Sequence, residues 1–168
     1  MKSLQNSSYA ERRLQSKYVG NLSEKAFVDA CHLQEWIVMK GSRAQDIHDH
    51  VDYIVTTKTE TFSVDVKTAH DQELIWIEIK NVNGALGWLY GKADRIAFYT
   101  SVLMKIIMVN REELKEYVHK NTIKELRPKG EALHHLYQRA GRRDILTQIP
   151  LAALFTFASL NIIRHEPI

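Results

Sequence analysis

The sequence predicts an α/β fold, and three features carry that prediction. The stretches His50-Val-Asp-Tyr-Ile-Val and Phe62-Ser-Val-Asp-Val-Lys67-Thr alternate apolar and polar residues about a Thr/Lys/Glu tip, the pattern of a half-buried hairpin. Leu74-Ile-Trp-Ile-Glu-Ile-Lys-Asn-Val has the length and β-branching of a central strand, so the sheet has at least three strands. Capping signals open helices on either side of these strands.

Composition sets the outer bounds. With 168 residues, 45% hydrophobic and 26% charged, the chain is long enough to bury a core as one domain. The single cysteine, Cys31, excludes an internal disulfide framework and points to a reducing, cytoplasmic setting. The start, Met1-Lys-Ser-Leu-Gln-Asn-Ser-Ser, has no apolar targeting core. The longest apolar run, Leu151 to Leu160, is too short to span a bilayer, so no membrane partner is expected. A net charge of +3 permits nucleic-acid binding without requiring it.

Taken in order, the segment to about Gly20 reads as an arm or short helix. Asn21-Leu-Ser-Glu24 is a capping-box pattern that opens a helix with an apolar-periodic run through Phe27, Ala30, Cys31 and Ile37. Trp36-Ile-Val-Met begins a first strand, and Asp46-Ile-His-Asp-His-Val-Asp52 is a polar loop entering the next, since its spacings match no zinc arrangement. After the hairpin and the central strand, Asn83-Gly84 and Gly87 break the chain and Trp88-Leu-Tyr makes a short helical turn. Ala93 to Tyr99 and Lys105 to Val109 read as strands, and Asn110 caps a helix. Beyond it a basic, mainly helical extension is expected over about 111–168: a helix from Glu131 to about Ala140 after the Pro128-Lys-Gly130 turn, and a last helix from Pro150 with Leu151, Leu154 and Phe155 inward.

The hairpin places charges where apolar groups are usual. Closed symmetrically, it pairs Val55 with Phe62 and Tyr53 with Val64 on one face. The same register sets Asp52 opposite Asp65 on the other, with Lys67 beside them.

Glu24 on the helix, Asp52 on one strand and Asp65-Val66-Lys67 on the next resemble the PD-(D/E)XK nuclease superfamily. In spacing and order they are similar to archaeal Holliday-junction resolvases. Trp76-Ile-Glu-Ile, Gly87-Trp88 and Ala93-Asp94-Arg-Ile-Ala-Phe-Tyr look like small phage-encoded nucleases of that superfamily. The resemblance covers about Gly20 to Thr100. It implies a central mixed sheet flanked by helices, a restriction-endonuclease-like core over about 20–110, and Mg²⁺- or Mn²⁺-dependent hydrolysis of DNA, with a homodimer as the common assembly. Asp52 and Asp65 would ligate the ion, with the Val66 carbonyl as a further oxygen and Glu24 binding through water or a second ion; Lys67 would serve the attacking water or the phosphate.

Alternatives stay open at this level. A capping role accounts for Glu24, and Glu35 competes with it. Glu78-Ile-Lys80 is a second acid-x-Lys, either the true motif or an accessory to it, and His50 shares the parity of Asp52. Arg127, Lys129, Arg139, Arg142 and Arg143 would form a phosphate-binding stripe if they share a face. Trp88, Tyr90 and Lys92 are either DNA contacts or core. A protein of the same fold that binds nucleic acid or a partner without cutting it is the competing function class, and RNA remains a possible substrate.

Overall fold

The computed structural model describes residues 9–71 and 73–165, so the Met1 to Ser8 start read for targeting lies outside the described residues. In chain order it forms α1 (Tyr9–Leu33), β1 (Ile37–Lys40), β2 (Tyr53–Thr56), β3 (Thr61–Thr68), β4 (Leu74–Lys80), β5 (Arg95–Thr100) and β6 (Lys105–Asn110). There follow α2 (Arg111–Asn121), β7 (Ile123–Leu126), β8 (His135–Leu136), β9 (Ile145–Pro150) and β10 (Asn161–Arg164). Six strands make a mixed sheet in the order β1-β2-β3-β5-β6-β10, in which β3 runs antiparallel to β2 and parallel to β5.

That sheet has a different cover on each face. α1 supplies Phe27, Ala30 and Cys31, with Ala26 buried beside them, at the i, i+3, i+4 spacing of a helical stripe; they pack on Tyr53, Val55, Val64 and Met108. On the other face, Ile96, Phe98, Ile107 and Val109 pack against Leu114 and Val118 of α2 and against Ile75, Ile77 and Ile149 from β4 and β9. No helix among the described residues is long and apolar enough to cross a membrane.

The first helix and most strands follow the sequence pattern, with four departures. Asn21 and Glu24 lie in the middle of α1, not at its start, because the helix runs back to Tyr9. β4 is not a central strand: it leaves the main sheet and pairs with β9, as Trp76↔Gln148 and Ile77↔Thr147. The mainly helical extension is instead mostly strand and turn. Glu131–Ala140 forms no α-helix, since a 3-10 turn (Lys129–Glu131) leads into β8, and Leu133 and Tyr137 bridge to β9. Ile145–Pro150 buries alternate residues, Thr147 and Ile149, as a strand does. Pro150 does open a turn, but a six-residue 3-10 one (Leu151–Thr156), in which Leu151 and Leu154 are buried and Phe155 is 48% exposed.

Three sequence readings hold closely. Asn110 caps α2, its side chain accepting the N–H of Glu112 at 2.8 Å and of Glu113 at 3.3 Å. Trp88–Tyr90 is a single 3-10 turn. The β2-β3 register is the expected one, Tyr53↔Val64 and Val55↔Phe62.

Candidate active site

The paired register of β2 with β3 ends at Tyr53↔Val64. The Asp52 N–H donates to the O of Val64, the residue opposite Tyr53, at 2.9 Å, which keeps Asp52 against β3. His50, in the left-handed region at φ 52°, then turns the chain away. With the backbone ladder ended there, the Asp52 carboxylate accepts the Val66 N–H through Oδ2 at 2.7 Å.

Asp65 is 1% exposed and has a cation on each oxygen. Lys67 Nζ contacts Oδ1, and Arg111 Nη2 lies 3.2 Å from Oδ2. The parity expected of Asp65 and Lys67 is therefore realised. Lys67 Nζ also stands 5.6 Å over the Trp88 ring, within cation–π range. Trp88 packs edge-on against Phe98 at 6.2 Å, so it is a core residue that presents a face to the site.

Two glycines permit this crowding. A Cβ on Gly91 would stand 2.7 Å from the His50 Cβ and 3.1 Å from Arg111 Nη1, and one on Gly87 would stand 2.4 Å from Glu78 O. The Trp88 turn closes on His50, Arg111 and Glu78 only because both side chains are absent.

Asp52 is electrostatically unlike its neighbour. Burial first, and then the Asp65 charge, raise its carboxyl from 3.8 to about 6, against the pull of the Val66 N–H and Lys67. Asp52 makes no ion pair among the described residues, whereas Asp65 makes two. Burial likewise holds the His50 imidazole below its ordinary pKa, with Lys67 and Arg111 adding to this and Asp65 opposing it.

The remaining expected residues separate clearly. Glu24 is held by Tyr53 OH and Lys40 Nζ, each at 2.9 Å, from the α1 side of the sheet; its charge contributes to raising Asp52. Glu35 pairs with Lys58 at the hairpin tip, 3.5 Å away and largely exposed. Glu78 is drawn in: burial raises its carboxyl, while the Trp88 N–H, Lys67 and Arg139 lower it. Lys80 is not, because a bulge between Glu78 and Lys80 breaks the register, and β4 pairs with β9 rather than β3.

The late basic residues do not form a helical stripe. Arg127 is paired with Glu125 and Glu131, and Arg139 with the fully buried Asp144. Arg142 and Arg143 line an exposed depression with Val82, Asn83 and Gly141, and Lys129 sits in the exposed 3-10 turn. Tyr90 OH meets His119 Nε2 at 2.8 Å, and Lys92 pairs with Asp49 at 2.8 Å.

Arg111 is the site residue the sequence reading missed. One signal pointed to it: a basic residue in the first turn of a helix opposes the macrodipole, so it needs another reason to be there.

A divalent ion suits the unmatched charge of Asp52. No group of three or more His, Cys, Asp or Glu is gathered for a metal among the described residues. An ion here would rest on Asp52, Asp65, the Val66 backbone oxygen and water, a donor set in keeping with Mg²⁺. Binding through Asp65 would use an oxygen now shared with Lys67 or Arg111. Comparison with protein-family models, curated proteins and solved structures finds no match to this chain.

Proposed function

We propose that this protein is a metal-dependent endonuclease that hydrolyses DNA phosphodiester bonds, built on a restriction-endonuclease-like core. The observation that carries the reading is Asp52, Asp65 and Lys67 converging from two adjacent strands, with Asp52 lacking a cation. The antiparallel run β1-β2-β3 followed by parallel β5 agrees with such a core.

Asp52, Asp65 and Val66 O would hold Mg²⁺ or Mn²⁺, which when bound supplies Lewis-acid stabilisation of charge on the phosphate and a more acidic water. Lys67, released from Asp65, meets the attacking water or a non-bridging phosphate oxygen. The water oxygen bonds to phosphorus and yields its proton to solvent, the opposite P–O ester bond breaks, and the departing oxygen takes a proton from solvent. The Trp88 face limits where the Lys67 ammonium can stand. Glu78 accepts the Trp88 N–H at 3.4 Å and so borders the turn that faces Lys67.

A second reading has its own observation. Both Asp65 oxygens are met by cations, as expected of a fold that keeps the acids as structural groups and binds nucleic acid or a protein without cutting. Supercoiled plasmid, branched DNA, single-stranded DNA and RNA incubated with Mg²⁺, Mn²⁺ or chelator separate the two. Metal-dependent nicking supports the enzyme; salt-sensitive binding with no product supports the binding module.

A further inference from the structure

Arg111 is the largest fully buried side chain of the described residues, at 1% exposed, and its guanidinium has four acceptors on four segments of chain. Nε donates to Ala93 O at 2.7 Å, Nη1 to Trp88 O, and Nη2 both to His50 O at 3.5 Å and to Asp65 Oδ2 at 3.2 Å. A planar fork with four of its five N–H donors committed cannot rotate without breaking several bonds at once. Those four segments are the ones that border the site: the left-handed turn before Asp52, the acid of β3, the Trp88 turn over Lys67, and the lead into β5.

We infer that Arg111 is the positioning residue of this centre, setting the direction of the Asp65 carboxylate and fixing the His50 and Trp88 turns around one guanidinium. The inference rests on the nuclease reading above. With Oδ2 tied to Arg111, Oδ1 is the oxygen left to exchange Lys67 for an ion. Arg111 lies behind Asp65 in the core and acts on the ion only through that carboxylate. Lysine at this position would keep a charge, yet it lacks the planar fork that serves four acceptors together.

Two measurements test this. In wild-type protein, ¹⁵N resonances of the Arg111 guanidinium and ¹³C resonances of the Asp52 and Asp65 carboxyls are followed while Mg²⁺ is added. All three should move with one affinity. In Arg111→Lys, checked for folding by its thermal transition, Mn²⁺ affinity should fall by about 10- to 100-fold. In the same variant kcat should fall while KM for DNA changes by less than about threefold, and Arg111→Met should be worse on both counts. If the carboxyls respond and Arg111 does not, or if folded Arg111→Lys binds Mn²⁺ as wild type does, the positioning role is overturned and the nuclease reading stands. If neither the carboxyls nor Arg111 respond and wild type cuts nothing, both fall together.

Discussion

The Asp52 carboxylate accepts the backbone N–H of Val66 at 2.7 Å, which anchors the acid of one strand to the peptide between the acid and the lysine of the next. Asp52→Asn keeps an oxygen that can accept this bond while removing the charge. It should reduce metal-dependent nicking to background and leave DNA affinity within a few-fold of wild type. Its Tm without metal should equal or exceed that of wild type, because the ionised carboxylate is disfavoured by burial and by Asp65. Full activity in the purified variant would remove Asp52 from the chemistry.

The pH dependence of stability has a definite sign. Asp52 titrates at about 6 in the fold, against 3.8 as the ordinary value. Its contribution is fully present below about pH 4 and is lost as pH rises through about 6. Glu78 shifts in the same direction and His50 in the opposite one, so the wild-type curve is a sum. The difference between wild type and Asp52→Asn isolates one group. Over that range metal-free wild type should lose up to about 3 kcal/mol relative to the variant, less where solvent reaches the carboxylate. Paired thermal melts at stepped pH measure it, and a difference that does not change with pH would contradict the assignment.

Lys67→Ala should abolish cleavage with little loss of fold, since its ammonium sits at the rim of the site with a quarter of the side chain exposed. Mn²⁺ should bind this variant at least as tightly as wild type, because Asp65 Oδ1 no longer has a competing cation. Calorimetric titration of both proteins checks the direction; clearly weaker binding would show that Lys67 helps to build the ion site.

Arg139 and the Arg142/Arg143 pair should behave differently. Arg139→Ala leaves Asp144, 0% exposed, as a buried carboxylate without its cation, and should cost about 2–3 kcal/mol of stability. Arg142→Ala and Arg143→Ala should leave stability within about 0.5 kcal/mol. Each should lower the salt slope of DNA binding by about 0.9 if it meets a phosphate. Chemical denaturation and binding titrations at several salt concentrations distinguish fold residue from DNA contact.

The parts of this molecule that were legible in the sequence are the locally encoded ones. Period-two alternation set the β2-β3 register, whose last pair, Tyr53↔Val64, is flanked by Asp52 and Asp65, and Asn110 announced α2 through its own hydrogen bonds. Long-range pairing was not legible. Nothing in Leu74–Lys80 distinguishes a central strand from one that leaves the sheet to join β9, seventy residues on. Pro150 marked a turn without saying which kind, and the capping pattern at Asn21 was overruled by helix-forming residues before it. Arg111 was hidden for the same reason: its acceptors on His50, Asp65, Trp88 and Ala93 are neighbours only in the folded chain.

The most direct test of the centre is anomalous diffraction from crystals soaked in Mn²⁺. A peak between the Asp52 and Asp65 carboxylates, absent from Asp52→Asn crystals treated alike, is the expected result. A peak at Glu78 instead, or none at any Mn²⁺ concentration the crystals tolerate, would contradict a metal-dependent nuclease centred on these two acids.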